Sequence, residues 1–137
     1  NGIGFIKSIN SIEALTISSI IVTDDGIKII QELPKLRLLD LSRTKITDNG
    51  SSVLKNIEHL EDLKLNKTNI TDEGMKHLSN LRNLRGLELS GTKITDKSIP
   101  YFRNFQELAE LYISNTKITR AGVKQLKRIL PGCSVFH

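Results

Sequence analysis

The sequence predicts an α/β solenoid, a right-handed coil segment with a parallel β-sheet on its concave side and helices on its convex side. Three observations predict it: a strict 24-residue self-similarity, strand-like alternation in the first half of each unit, and helical spacing in the second half. Leu36, Leu60, Leu84 and Leu108 open one shared frame without a single insertion: LRLLDLSRTKITDNG, LEDLKLNKTNITDEG, LRGLELSGTKITDKS and LAELYISNTKITRAG.

The elements follow in order. NGIGFIKSINS from Asn1 overlays NGSSVLKNIEH from Asn49, so residues 1–11 are read as part of a further coil and the chain as a fragment of a longer protein. Complete repeats are expected at 12–35, 36–59, 60–83, 84–107 and 108–131. The first of them keeps Leu15, Ile17, Val22, Thr23, Asp24 and Gly26 but has Ile20 where later copies have Thr, so its turn is expected to be looser. One more period beyond Leu111 lands on Val135, and 132–137 is read as a closing strand after the Pro131-Gly132 break.

Inside a unit, apolar residues at positions four and six, such as Leu63 and Leu65, alternate as a short strand does when one face meets a core. Met75, Leu78 and Leu81 then recur at three-residue spacing, with Thr71 or Asp72 at the helix start. One isolated coil buries too little at about 1.5–3 kcal/mol per side chain to offset an ordering cost of about 1–2 kcal/mol per residue. Stacking must therefore supply the stability. The ladder Thr44, Thr68, Thr92 and Thr116 sits where the chain leaves the strand and is expected to bond backbone of that turn. Asp24, Asp48, Asp72 and Asp96 are read as helix caps that accept backbone N–H bonds and meet the positive end of the helix dipole. One carboxylate per coil falls short of the roughly six to eight oxygens calcium prefers. Gly26, Gly50, Gly74 and Gly122 are read as room for close coil-to-coil approach. Ser98 breaks that column and Pro100 follows, so the fourth helix is expected to start late or to be distorted.

The pattern resembles the leucine-rich-repeat family, in a 24-residue form with Thr-x-Ile-Thr-Asp-x-Gly after the strand, similar to ribonuclease-inhibitor-like and bacterial arrays. The resemblance covers essentially the whole chain and implies a horseshoe segment that serves as a protein-binding scaffold. It also allows a substrate-recruiting segment of a larger enzyme, a ubiquitin-ligase adaptor or a bacterial effector. Extracellular relatives commonly close their ends with disulfide-bonded caps; with Cys133 alone, a cytoplasmic location is expected.

Chemistry is sparse. His59, His77 and His137 share no metal-ligand spacing, Cys133 has no base beside it, and GxxxxGK[ST], GxGxxG and HExxH are all missing. No enzyme activity, metal or cofactor is expected. No stretch reaches the roughly 18–20 apolar residues of a membrane span. The register instead defines a contact face: Leu38, Asp62 and Glu110 at the third position, Asp40, Lys64, Glu88 and Tyr112 at the fifth, and Arg43 and Lys67 on the flanking rim, with Arg37 and Arg85 at the edge. Tyr112 is the best anchor, because protein hot spots favour Tyr, Trp and Arg.

Residues 1–59 hold seven basic and seven acidic side chains, whereas 60–137 hold thirteen and eight. After Leu111 no acid remains, and Arg120, Lys124, Lys127 and Arg128, with Lys117 before them, form a basic stripe at helical spacing. Solvation of an end coil explains the stripe, with an acidic protein partner next; the lack of interleaved aromatics disfavours nucleic acid. The expected function is a non-enzymatic protein-interaction module using its concave face. Weak self-association through an open strand edge near Leu15–Ile17 is a further expectation.

Overall fold

The computed structural model describes residues 10–18 and 21–137. The looser turn expected at Ile20, and the incomplete coil expected over 1–11 apart from its last two residues, lie outside the described residues.

Six three-residue strands form one parallel sheet in sequential order: β1 (Ala14–Thr16), β2 (Leu38–Asp40), β3 (Asp62–Lys64), β4 (Gly86–Glu88), β5 (Glu110–Tyr112) and β6 (Ser134–Phe136). Each strand pairs with the equivalent residues one period on, so Leu15, Leu39, Leu63, Leu87, Leu111 and Val135 stand in one row. The sheet is open and concave, and the helical segments return along the convex side. They are a 3-10 helix η1 (Lys28–Glu32), α1 (Asp48–Leu54), α2 (Asp72–Leu78), a 3-10 helix η2 (Asp96–Asn104) and α3 (Arg120–Ile129). This is the α/β solenoid the period predicts. Among the described residues, no helix is long and apolar enough to cross a membrane.

The core is a set of columns rather than one cluster around a point. Leu39, Leu63, Leu87 and Leu111 are fully buried, flanked by Leu41, Leu65, Leu89 and Ile113 and backed by Ile46, Ile70 and Ile94. Four threonine hydroxyls tie the turns after the strands: Thr44, Thr68, Thr92 and Thr116 each donate to the carbonyl three residues back, at 2.6–2.8 Å. That satisfies a carbonyl that stacking removes from water.

The aspartate column corrects the sequence reading. The caps are the preceding threonines: Thr47, Thr71, Thr95 and Thr119 each accept a helix N–H on the hydroxyl. Each aspartate reaches forward to the next coil instead. Asp48 accepts from the Thr71 backbone N–H at 2.8 Å and from its hydroxyl at 2.6 Å, and Asp24, Asp72 and Asp96 do the same to Thr47, Thr95 and Thr119. Each of these threonines thus donates backward and accepts from its own helix. Asp48, Asp72 and Asp96 still sit in the first turns of their helices, where a carboxylate meets the positive dipole end.

This clasp explains the glycines. A Cβ on Gly74 would collide with the Asp48 carboxylate, and one on Gly122 with that of Asp96. Among the described residues, a Cβ on Gly26 would meet only ordinary contacts with Thr23. Where Ser98 stands in the fourth coil, the helix begins at Asp96 as its neighbours begin, so it does not start late, but it winds as a 3-10 helix with Pro100 inside. A 3-10 helix is the narrower one. Phe102 and Phe105 take the places of Leu78 and Leu81 there, packed edge to face at 5.8 Å, and fill the space.

Candidate functional site: the concave sheet face

With the central residue of β2 to β5 buried, the two neighbours of each point away from the core. Parallel register turns them into two rows. One runs Ala14, Leu38, Asp62, Gly86, Glu110, Ser134 and the other Thr16, Asp40, Lys64, Glu88, Tyr112, Phe136. Leu38, Asp40, Asp62, Lys64, Glu88, Glu110 and Tyr112, the seven strand residues expected at a contact face, all take outward positions of the sheet. Arg43 and Lys67 lie on the rim turns, where both adopt the left-handed backbone (φ 62° and 55°) that Gly91 also takes. Such a turn costs an L-residue roughly 1–2 kcal/mol.

The rows are internally paired. Lys64 Nζ lies 2.9 Å from Glu88, which raises the ammonium pKa through that hydrogen bond and charge. The other Glu88 oxygen accepts from Asn66 Nδ2 at 2.5 Å, and Asn66 Oδ1 in turn accepts from the Ser90 N–H. Tyr112 donates to Glu110 at 3.2 Å, and its ring stacks on Phe136 with centroids 4.5 Å apart. Desolvation and Glu110 push the phenol pKa up. Phe136 remains 44% exposed. The sequence reading did not single out Phe136, although one period beyond Tyr112 reaches it.

A second feature also escaped it. The second position of successive repeats alternates Glu13, Arg37, Glu61, Arg85, and these residues with Lys35, His59 and Glu107 line a groove of about 500 Å³ on the edge where the strands begin. Arg37 grips Glu61 through two hydrogen bonds, at 3.1 and 2.8 Å, and holds its carboxyl below the usual range.

The basic stripe stands apart from the sheet face. Arg120, Lys124, Lys127 and Arg128 are exposed on α3, and Lys117 is exposed in the turn before it. Among the described residues, no three potential ligands gather around a metal position. Cys133 is half-buried, and burial pushes its thiol up to about 11. At pH 8 its alkylation by iodoacetamide is expected to be roughly a hundredfold slower than that of an unstructured thiol, because each pKa unit removes about tenfold of the thiolate. Mass spectrometry in buffer and in urea checks this; equal rates in both contradict it.

A coiled array that holds an open parallel sheet on one side and helices on the other defines a solenoid repeat protein. The family profile of the leucine rich repeat matches residues 34–94. Those residues match the leucine-rich-repeat family, and the coils on either side continue the same repeat. Three solved structures share the fold. A leucine-rich-repeat protein of Leptospira interrogans is 19% identical with a TM-score of 0.67, over 96% of this chain and 33% of its own. Actin-binding site 2 of leiomodin-1 is 14% identical with a TM-score of 0.68, over 94% and 85%. An internalin from Listeria monocytogenes is 18% identical with a TM-score of 0.53, over 88% and 38%. The chain thus spans about a third of the Leptospira protein's length. No curated protein matches it in sequence.

Proposed function

We propose that this chain is a non-enzymatic module that binds another protein on its concave face, through Leu38, Asp40, Asp62, Lys64, Glu88, Glu110 and Tyr112 with Arg43 and Lys67 at the rim. The observation that carries the reading is the register: every outward side chain is held one strand from the next by a buried leucine row, so a partner meets a surface already ordered. The leiomodin-1 segment of similar size is an actin-binding site, which supports protein binding by an array of this length. A cytoplasmic setting belongs to the same proposal and rests on the single cysteine. Since the chain spans a third of the Leptospira protein, the face also suits a larger protein in which it recruits a substrate.

The test is photo-crosslinking in cell extract from a reactive residue placed at Leu38 on the concave face or at Lys76 on the convex one. Capture from Leu38 is expected, and Tyr112→Ala is expected to weaken the captured partner at least about tenfold. Capture from Lys76 alone overturns the reading.

A further inference from the structure

The sheet face differs in charge from the molecule that carries it. The chain has a formal net charge of +5. Yet the outward positions of its strands hold four carboxylates, Asp40, Asp62, Glu88 and Glu110, and one ammonium, Lys64. Lys64 is already engaged by Glu88. Asp62 and Glu110 have no ion pair among the described residues, and they stand on the two strands that flank Gly86, in register with it.

Gly86 gives this arrangement its shape. Its missing side chain leaves room that the Asp62 carboxylate leans into, since a Cβ there would strike Asp62 Oδ1. Beside it is a hollow of about 220 Å³ that Asp62, Lys64, Glu88, Glu110, Leu38 and Tyr112 line. Phe136 on β6 covers one face of the Tyr112 ring, which leaves the opposite face toward β4 and the hollow. Carboxylates on two strands and the face of an aromatic ring form a surface complementary to a cation on a flexible stem. Arg43 and Lys67 on the rim would repel a basic partner that strayed from the sheet, and so confine it to the strands.

Resting on the protein-binding reading above, we propose that the concave face docks a basic segment of the partner protein, with one lysine or arginine seated in the hollow beside Gly86, between Asp62, Glu110 and the Tyr112 ring. Lys64 then acts as an internal competitor, because it occupies Glu88 until the partner arrives.

The experiment uses fluorescein-labelled octa-arginine and octa-glutamate as probes, read by anisotropy at low and at physiological salt. Octa-arginine is expected to bind more tightly than octa-glutamate. The double change Asp62→Asn with Glu110→Gln should weaken octa-arginine about tenfold or more, whereas Lys64→Gln should tighten it several-fold. Reversing charge on α3, by Lys124→Glu with Lys127→Glu, should leave the relative effect of the Asp62/Glu110 change intact. Circular dichroism of every variant checks that the fold is retained. Preferred binding of octa-glutamate overturns the proposal, as does indifference of octa-arginine to Asp62 and Glu110, or weakening by Lys64→Gln. If such a result accompanies crosslinking from Leu38, the basic occupant is wrong and the concave reading stands. Crosslinking from Lys76 alone removes both.

Discussion

Replacing Leu87 with alanine is expected to cost about 2–5 kcal/mol, measured as a fall in the urea midpoint. Leu87 is fully buried at the middle of the leucine row, in register with Leu63 on one side and Leu111 on the other. Neither neighbour can close the gap, because the hydrogen-bonded strands hold the coils at fixed spacing. In an array stabilised by nearest-neighbour contacts, the loss falls on two interfaces at once. The unfolding slope is therefore expected to fall as well, as the flanking coils uncouple. Leu15→Ala is the control: this residue is only half-buried in β1, and a smaller loss is expected. Equal costs at the two positions would show that the stacked leucines are not what holds the array.

Asp48→Ala is expected to destabilise by about 2–4 kcal/mol, since it removes two hydrogen bonds to a carboxylate at a half-buried position and leaves Thr71 N–H and hydroxyl without an acceptor. Asp48→Asn should fall between the two. Its amide oxygen can still accept from the Thr71 N–H, but its NH2 group cannot accept from the hydroxyl. A double-mutant cycle with Thr71→Val separates this clasp from simple capping. Coupling of about 1 kcal/mol or more is expected for the clasp, and near-additivity would mean that the aspartate acts only within its own helix.

Strand register was legible in the sequence because it is arithmetic: residues 24 apart must pair if the chain coils regularly, and Leu39, Leu63, Leu87 and Leu111 do. The Thr44 column was legible too, because its partner is a carbonyl three residues away on the same turn. The role of Asp48 was not. Adjacent Thr and Asp are both good caps, and local spacing cannot choose between them. The contact that decides lies 23 residues ahead and exists only once two coils are stacked. A cross-repeat signal was present, with Asp48 followed by Thr71 and Gly74, and Asp96 by Thr119 and Gly122. The winding of η2 was half legible: Pro100 announced distortion, but its start is set by Thr95 held on Asp72, a contact with the preceding coil. At the sheet face, the positions of side chains followed from the period. Their pairings, such as Lys64 with Glu88 and Tyr112 with Phe136, depend on rotamers that alternation does not specify.

The carboxylate-to-threonine contact runs in one direction and with one offset at all four junctions. An in-frame tandem duplication of 24 residues within this stretch therefore rebuilds both seams it interrupts with partners already encoded. The number of turns is free to drift by recombination while the geometry of each turn stays constant, so selection can lengthen the docking wall without first inventing a new joint.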